Sequence, residues 1–365
     1  MKLKNLFTNL RGAWRASAQR SFADEWRATD LWNDDDLRGG AALVNPYEQS
    51  VWVHACIHTL AVNVAQVPFR ISRGSRKGED LVTSGPAVEL FNRPHPQLSR
   101  FAFWELYVSW LCLRGEVFVV PVQVSRHERR LLVLSPDQFQ HVIDDHELVG
   151  WRYTGFGPQA PLESQVFLPD EVIHDRIPNP FNVWRGLSPL TVALLPAQTD
   201  YASAQFMKGA MINNADTGVI ACMDEQLSPE QREQLLVALR ACKRAAGSAD
   251  RPMILWGKMR IERAAPTNTD LQFLENRKFN RQEICAVFGV PQELLGFTED
   301  ANRSVSDNAR LNFVENRLAP LCARIEAAMT PEIRRFGQSL YGFFDLDSLP
   351  IMQTARRNQI GRAHV

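Results

Sequence analysis

The stretch that decides the fold runs from Thr269 to Gly296 and reads T-D-L-Q-F-L-E-N-R-K-F-N-R-Q-E-I-C-A-V-F-G-V-P-Q-E-L-L-G. Its pattern predicts one long helix that Thr269 caps, with Gln272 completing a reciprocal pair of cap hydrogen bonds. Gly289 supplies the left-handed residue that closes a helix, and Pro291 prevents continuation. Both ends of the helix are therefore encoded locally.

Charged side chains point in most directions around this helix, which we expect to run from Thr269 to Phe288. They are Glu275, Arg277, Lys278, Arg281 and Glu283. A core helix keeps one dry face, whereas charges in most directions require other surroundings. The pattern predicts a helix flanked by neighbours or water over much of its length.

Composition limits the class of protein. The chain has 365 residues, of which 45% are hydrophobic, enough for one large domain or a few modest ones with a buried core. Lys plus Arg and Asp plus Glu both number 41, and zero net charge argues against a protein that holds nucleic acid through a broad basic surface. The six cysteines lie far apart without a C-x-x-C pair, which indicates buried thiols in a reducing compartment.

No stretch has the pattern of a targeting or membrane segment. The N-terminal residues are basic but lack the apolar core of a signal peptide. The most apolar stretch, residues 51–67, is interrupted by His54, His58, Asn63 and Gln66. We expect a protein that is soluble and intracellular when made, with no membrane partner.

The first half of the chain predicts an α+β fold. Helices begin after Asn45 and after Ser99, the first running to Val67 and the second rich in aromatic residues that we assign to a core. Short β-branched and aromatic segments between Glu116 and His174 predict a small antiparallel sheet packed on these helices.

The second half predicts two long helices on either side of an insert. The first follows Ser188-Pro189 and extends to about residue 214, with a kink at Pro196. The insert, residues 216–266, has a β-α-β-β pattern and predicts a subdomain. The second long helix is the opening stretch.

A polar loop and a further helix follow. The loop from Phe297 to Val305 has no apolar anchor at its centre. Ser306 is expected to cap the next helix, which carries a packing stripe and should kink or break at Pro320. The tail after Pro331 is mixed in composition, and its last residues should fray.

A search for catalytic and metal-binding patterns leaves weak candidates. The sequence lacks G-x-x-x-x-G-K-[ST], G-x-S-x-G, H-E-x-x-H and a strand-linked G-x-G-x-x-G. His54 and His58 have the spacing of a zinc pair without a neighbouring Glu. Asp170, Glu171 and His174 could act with a metal, but neighbouring residues in an extended segment face opposite ways. We predict no catalytic residue, cofactor or resident metal.

Several ordered blocks carry a resemblance to a known family. They are Asn45-Pro46 with Val53 and Val67-Pro68, Asn92-Arg93-Pro94-His95-Pro96, Phe103-Trp104-Glu105, Arg114-Gly115-Glu116, Pro169 to His174, Gly186-Leu187-Ser188-Pro189-Leu190, and Asp270 to Gly296. Together they resemble the phage portal protein family of tailed double-stranded DNA phages, with His95 where the family usually has Asn. The likeness spans about residues 40–330.

The resemblance implies the organisation of the subunit. Portal proteins form a dodecameric ring at one capsid vertex, through which a packaging motor drives DNA in and through which DNA later leaves. The implied parts are an arm (1–40), an α/β wing (41–186), a stem helix (187–215), a clip (216–266), a second stem helix (267–290), a tunnel loop with its supporting helix (291–330), and a C-terminal wing, short crown or tail (331–365). Little helical pattern remains after residue 330, so the crown should be reduced or absent.

The resemblance also implies partners and residue roles. The partners are neighbouring copies, double-stranded DNA, the large terminase subunit, a head-tail adaptor and the major capsid protein, at the portal vertex of the virion. The loop residues expected to face DNA are Thr298, Glu299, Asp300, Asn302, Arg303 and Ser304. The clip candidates are Met223, Leu235, Leu239 and Trp256. Deleting residues 298–304 should leave rings intact but impair packaging or retention of DNA.

Two other function classes remain open from the residues. A metal-dependent nucleic-acid-processing enzyme would use Asp170, Glu171 and His174, and loss of a Mg²⁺-dependent nuclease activity in Asp170→Ala with Glu171→Ala would support it. A non-viral scaffold or adaptor would be favoured if the neighbouring genes encoded no terminase or capsid protein.

Overall fold

The computed structural model describes residues 43, 45–74, 80–125, 128–145, 147–154, 165–212, 219–223, 228, 230, 259–263, 269–297 and 303–363. In these residues the α-helices are, in chain order, α1 (Pro46–Gln49), α2 (Val51–Gln66), α3 (Pro86–Asn92), α4 (Arg100–Arg114), α5 (Pro189–Val192), α6 (Leu194–Ile212), α7 (Thr269–Phe288), α8 (Arg303–Phe313), α9 (Ala319–Arg334) and α10 (Pro350–Ala363). The strands are β1 (Phe69–Arg73), β2 (Leu81–Val82), β3 (Glu116–Gln123), β4 (Arg129–Leu134), β5 (Phe139–Asp144), β6 (Glu147–Tyr153), β7 (Gln165–Phe167), β8 (Ile173–Arg176), β9 (Val219–Met223), β10 (Met259–Arg263) and β11 (Leu340–Phe344). This mixture of helices and strands confirms the α+β class.

Helices α2 and α4 form the centre of the main hydrophobic core. Ile57 and Leu60 of α2 and Trp104 and Tyr107 of α4 have no exposed surface. The Trp104 ring packs edge-on against Phe344 of β11, with ring centroids 5.1 Å apart. The aromatic helix is therefore a core helix, as predicted.

The helix predicted from Asn45 to Val67 is interrupted at Ser50. Ser50 has an extended backbone, with φ −98° and ψ 116°. Its side-chain oxygen accepts a hydrogen bond from the Val53 N–H, so it caps α2. Serine competes with helix continuation because its hydroxyl bonds to nearby backbone. The prediction of one continuous helix is wrong, and Asn45 makes no side-chain cap hydrogen bond.

Helix α4 ends as its sequence predicts. Ser99 Oγ accepts a hydrogen bond from the Ala102 N–H at 3.1 Å at the start of the helix. Gly115 closes the helix at φ 73°. A Cβ at this position would meet the backbone of Leu187, so glycine is required for the close approach as well as for the left-handed turn. The chain can thus enter β3 directly.

The β segments between Glu116 and His174 form two small antiparallel sheets, where one was predicted. In the first sheet β3 pairs with both β4 and β8, and in the second β6 pairs with both β5 and β7. A 3₁₀ turn, Pro136–Gln138, separates β4 from β5. The ring of Phe118 stacks on that of Phe139 with centroids 4.2 Å apart and joins the two sheets.

The C-terminal tail is part of the folded body. Strand β11 pairs antiparallel with β1, which places Phe344 opposite Phe69. Glu326 of α9 is buried, and its carboxylate accepts a hydrogen bond from the Phe344 N–H at 2.9 Å. Strand β11 was not predicted, because this short strand depends on a distant pairing partner, which local sequence does not show. The basic residues expected to fray lie in helix α10, which runs to Ala363.

The first long helix is interrupted near its start. Ser188 Oγ accepts a hydrogen bond from the Thr191 N–H at 3.3 Å and caps α5, as predicted. Helix α5 ends at Val192, and Ala193 has φ −81° and ψ 1°. The ring of Pro196 would clash with the carbonyl of Val192 in a continuous helix. The proline thus lies in the first turn of α6, and the predicted kink is a break before it.

The helical segment after residue 302 begins earlier than predicted. Helix α8 starts at Arg303, so Ser306 lies inside the helix and is not its cap. Between α8 and α9 the residues Val314–Leu318 form a π-helical turn, and Pro320 follows in the first turn of α9. A π turn is a common way to interrupt a helix. The interruption expected at Pro320 therefore lies just before the proline.

The insert at 216–266 is described mainly at its two ends. Strands β9 and β10 pair antiparallel, with Met223 opposite Met259. Of the predicted clip residues, Met223 ends β9, whereas Leu235, Leu239 and Trp256 lie outside the described residues. The β character of both ends agrees with the predicted pattern.

Cysteine side chains of the described helices are buried inside the protein. The free, buried cysteines are Cys56, Cys112, Cys285 and Cys322. Burial raises the pKa of the Cys112 thiol to about 12. These thiols match the expected buried set. Within the described ranges, no helix has the length and apolar composition needed to cross a membrane.

Candidate functional site

Helix α7, which dominates the sequence, ends in the predicted geometry. Gly289 has φ 66°, in the left-handed region. Its N–H donates to the Ala286 carbonyl at 3.1 Å, and the Val290 N–H donates to the Cys285 carbonyl at 3.0 Å. These two bonds are the Schellman closure of a helix. The end of α7 is therefore fixed by backbone bonding.

The start of α7 lies at the predicted residue. Thr269 is the first residue of the helix. An N-cap residue precedes the first helical residue, and residue 268 lies outside the described chain. The predicted cap hydrogen bonds between Thr269 and Gln272 involve side chains that lie outside the described part of the chain.

The charged residues of α7 divide between surface and interior. Glu275, Lys278 and Glu283 are exposed. Arg277 is partly buried, and its Nε lies 2.8 Å from Asp200 Oδ1 of α6. Asp200 is only 5% exposed, so the ion pair that joins the two long helices is shielded from water at its carboxylate end.

The sequence pattern did not identify Asp200, although this residue holds α6 to α7. A signal was present, because Asp200 is the one carboxylate in the sequence of α6. It faces a helix rich in cations. A single acid on an otherwise non-acidic helix, opposite a cationic helix, is a candidate for an ion pair.

The paired long helices expose large apolar side chains. Leu195 and Phe206 of α6 are 63% and 52% exposed, and Phe279 of α7 is 59% exposed. Leu195 and Phe206 are three helical turns apart and lie on one side of α6. Large apolar side chains exposed along paired helices are candidates for contact with another molecule. A single copy of the chain leaves this surface in water.

The residues predicted to face DNA lie at the limit of the described chain. Thr298, Glu299, Asp300 and Asn302 lie outside the described residues. Arg303 and Ser304 belong to the first turn of α8, so their assignment to a loop is wrong. Asn at 302 is itself a preferred N-cap type, a signal that competed with Ser306. Residues 298–302, which lie outside the described residues, are the part of the predicted loop that the structure does not test.

The residues of the alternative metal site do not converge. Asp170 and Glu171 are exposed, and the Glu171 carboxylate accepts a hydrogen bond from the Leu168 N–H at 2.9 Å. His174 is instead buried beside Glu116, with Nε2 and Oε2 3.0 Å apart. Among the described residues no group of three or more His, Cys, Asp or Glu could hold a metal ion. The enzyme alternative is not supported.

Glu116 is the centre of a buried polar cluster. Its side chain lies 2.6 Å from Arg185 and 3.0 Å from His174, and it accepts a hydrogen bond from the Gly186 N–H at 3.0 Å. Arg185 also donates to the Phe139 carbonyl at 2.7 Å. Burial lowers the pKa of His174, although the hydrogen bond with Glu116 acts in the opposite direction. The cluster fixes the segment that leads into α5 and α6.

Comparison with known proteins assigns this arrangement to a family. The family model described as "Phage portal protein" matches residues 51–363. The chain belongs to the phage portal protein family. It is a portal protein, the subunit of a channel at a capsid vertex. The family is structural and not catalytic.

Named phage proteins are among the relatives of this portal protein. The probable portal protein of Streptomyces phage phiC31 is 29% identical over 329 residues, covering 84% of this chain and 69% of the relative. The portal protein of Enterobacteria phage HK97 is 25% identical over 286 residues, covering 76% of this chain and 65% of the relative. The similarity thus extends over most of the portal protein.

Solved structures share its fold. The neck of a native gene transfer agent particle, computed with C12 symmetry, has a TM-score of 0.61 at 25% identity and covers 87% of this chain and 85% of that one. The neck of the empty particle, computed with C6 symmetry, has a TM-score of 0.65 at 24% identity, covering 87% and 86%. An HK97 family phage portal protein from Corynebacterium diphtheriae has a TM-score of 0.60 at 17% identity, covering 85% and 99%.

Proposed function

We propose that this portal protein assembles into a ring, with twelve copies as the expected number, that conducts double-stranded DNA through one capsid vertex. The family match over residues 51–363 and the similarity to a neck computed with C12 symmetry support this proposal. The observation in the chain that carries it is the α6–α7 pair, which is joined by a buried ion pair and exposes Leu195, Phe206 and Phe279. In a ring, each copy covers such a surface on its neighbour.

We assign parts of the subunit to places in this ring. Residues 187–215 and 267–290 are the stem, and residues 216–266 are the clip. The wing comprises residues 41–186 together with β11, because β11 pairs with β1.

Residues 298–302 face the channel in this proposal. Their sequence, T-E-D-A-N, contains two carboxylates and no Lys or Arg. Persistent Lys or Arg contacts with phosphates add salt-dependent affinity that would hold DNA in place. An acidic segment lets DNA slide, which both packaging and ejection require.

The partners of the ring follow from its place in the particle. The clip meets the large terminase subunit during packaging and a head-tail adaptor afterwards, and the major capsid protein surrounds the ring. The β9–β10 pair supports the clip assignment, because it provides a folded base at the junction with the two stem helices.

Ring formation and the role of residues 298–302 can be tested together. The segment is replaced by Gly-Ser-Gly-Ser-Gly, which keeps its length, and the same replacement in the β3–β4 hairpin at residues 124–128 is the matched control. We expect rings of normal size by native mass spectrometry from both variants. DNA content per particle should fall in the first variant alone, because the replacement removes the side chains that are proposed to face DNA.

Two outcomes would contradict this function. Purified protein that forms only monomers or dimers under all conditions would exclude a ring. Normal DNA content after replacement of residues 298–302 would exclude their role in the channel. Loss of assembly in that variant would instead make the segment a structural one.

A further inference from the structure

Arg281 of α7 is a buried cation held by aromatic rings. It is 8% exposed, and its Nε has no hydrogen-bond acceptor among the described residues. Its Cζ lies 4.0 Å from the centroid of the Phe297 ring and 5.5 Å from that of the Trp52 ring. The two rings meet edge-on with centroids 5.3 Å apart. The guanidinium is therefore fixed by cation–π contacts with two ring faces.

This cluster joins three parts of the chain. Trp52 belongs to α2 in the core, Arg281 to α7, and Phe297 is the last described residue before residues 298–302. The backbone at Phe297 is also fixed, because its N–H donates to the Gln292 carbonyl at 3.2 Å. Gly296 precedes it at φ 88° and closes the 3₁₀ turn. The direction of the chain at Phe297 is thus set by the turn and the ring stack together.

Arg281 lies on the face of α7 that docks the helix. Residues four apart on a helix share a face. Arg277, one turn earlier, pairs with Asp200 of α6. Cys285, one turn later, lies with its Sγ 3.8 Å from that of Cys56 in α2. One row of side chains therefore links α7 to α6, to the core and to the start of residues 298–302.

We propose that Arg281 is a positioning residue that couples helix α7 to the segment 298–302 by holding Phe297 against Trp52. This inference rests on the proposed channel role of that segment. Between Phe297 and Arg303 the chain can span at most about 20 Å. A displacement of Phe297 therefore moves the point from which residues 298–302 start.

A residue at position 281 that served stability alone would be expected to have an apolar side chain. Burying a guanidinium without a carboxylate carries a large desolvation cost, which a methionine of similar length avoids. A planar cation, however, engages two ring faces in one orientation, and an apolar side chain does not. The contact therefore specifies direction more than it adds stability.

Hydrogen–deuterium exchange of assembled rings tests the coupling. The variants are Arg281→Met, which removes the charge, and Arg281→Lys, which keeps the charge without the planar group. We expect exchange at the Gly296 and Phe297 amides to rise about tenfold in Arg281→Met and less in Arg281→Lys, with no change in the rest of α2. Arg334→Met is the matched control, since Arg334 lies 5.2 Å from the Tyr341 ring in a separate cation–π contact.

The proposal is overturned by unchanged exchange at Gly296 and Phe297, or by a rise spread over all of α2 and α7. If Arg281→Met fails to fold, Phe297→Leu removes the ring face and leaves the guanidinium in place. The double variant Arg281→Met with Phe297→Leu should exchange no faster than the faster single variant, because both remove one contact. An additive rise would overturn the coupling.

DNA content separates this inference from the proposed function. Arg281→Met particles should hold several-fold less DNA than wild-type particles, while Arg334→Met particles hold the normal amount. Normal DNA content in Arg281→Met, with a loss when residues 298–302 are replaced, would overturn the positioning role and leave the channel role standing. The exchange measurement needs no DNA and stands independently.

Discussion

The cluster around Glu116 and the α6–α7 pair both bury a charged side chain, but only the α6–α7 pair also leaves large apolar side chains exposed. Glu116 is 1% exposed, and its carboxylate is contacted by Arg185, His174 and the Gly186 N–H within one chain. The α6–α7 pair has one buried ion pair and leaves Leu195, Phe206 and Phe279 in water. The first region is complete in a single copy, whereas the second would be covered by neighbours in the ring proposed above.

The contacts of Glu116 explain why sequence blocks that are far apart in the chain belong together. Arg114-Gly115-Glu116, Pro169 to His174 and Gly186 to Leu190 are far apart in sequence. They meet where Glu116 binds His174 and Gly186, and where the Ile177 N–H donates to the Gly115 carbonyl at 2.7 Å. The blocks therefore describe one junction, from which the first long helix leaves the wing.

The largest loss of stability is expected when Glu116, the centre of the buried polar cluster, is replaced. Glu116→Ala leaves Arg185 charged and buried and leaves the Gly186 N–H without an acceptor. We expect a loss of about 3–5 kcal/mol in the free energy of unfolding of the single chain. Urea unfolding measures it, and Glu147→Ala, at an exposed carboxylate of β6, should change it by less than about 0.5 kcal/mol. A loss no larger than that of the control would show that the cluster is not required.

A smaller effect is expected in the α6–α7 pair. Arg277→Met leaves the buried Asp200 carboxylate without its partner, while the partial exposure of Arg277 reduces the cost to about 1–2 kcal/mol. Adding Asp200→Asn removes the stranded charge and should recover most of the loss. Thermal unfolding of both variants measures this, and a double variant as unstable as the single one would contradict the ion-pair account.

Features encoded by neighbouring residues were predictable, and those that depend on distant partners were not. The end of α7 at Gly289 and the caps Ser99 and Ser188 follow from local chemistry. The pairing of β11 with β1 joins segments at opposite ends of the chain. Short strands specify neither their partners nor the number of sheets, so one sheet was predicted between Glu116 and His174 where two exist.

The same division holds for the candidate site. The charges of α7 were visible in sequence, but which of them turn inward depended on Asp200, Trp52 and Phe297. Arg281 in particular has the sequence signature of a surface residue, because a buried cation without a carboxylate is rare. The aromatic partners that make its burial possible lie on other elements.

A pH dependence of the free energy of unfolding should come from His174 in the Glu116 cluster. Burial holds the folded-state pKa of His174 below its ordinary value of 6.5. The contribution of neutral His174 to the free energy of unfolding is therefore full above pH 6.5. It is lost as the pH falls below that value, because the unfolded chain then binds a proton that the folded chain does not. His174→Gln keeps an N–H donor and cannot titrate.

The measurement compares wild type with His174→Gln from about pH 8 to about pH 5.5. The advantage of wild type should shrink as pH falls. Asp175, whose pKa burial raises, acts with the opposite sign, and it cancels in the difference because both proteins contain it. A difference independent of pH would show that His174 is not buried in its neutral form.

The smallest effect on the stability of the single chain is expected at Phe279 of α7. Phe279 is 59% exposed, so Phe279→Ser should change the free energy of unfolding of the monomer by less than about 0.5 kcal/mol. In the ring proposed above, a neighbour would cover the same side chain, so its loss should shift native mass spectra from rings toward monomers. Leu168→Ser, at a 46% exposed position of the wing, is the control and should assemble normally. Assembly of Phe279→Ser at the wild-type concentration would mean that the exposed face of α7 looks into the channel, and that the contact between copies lies on α6.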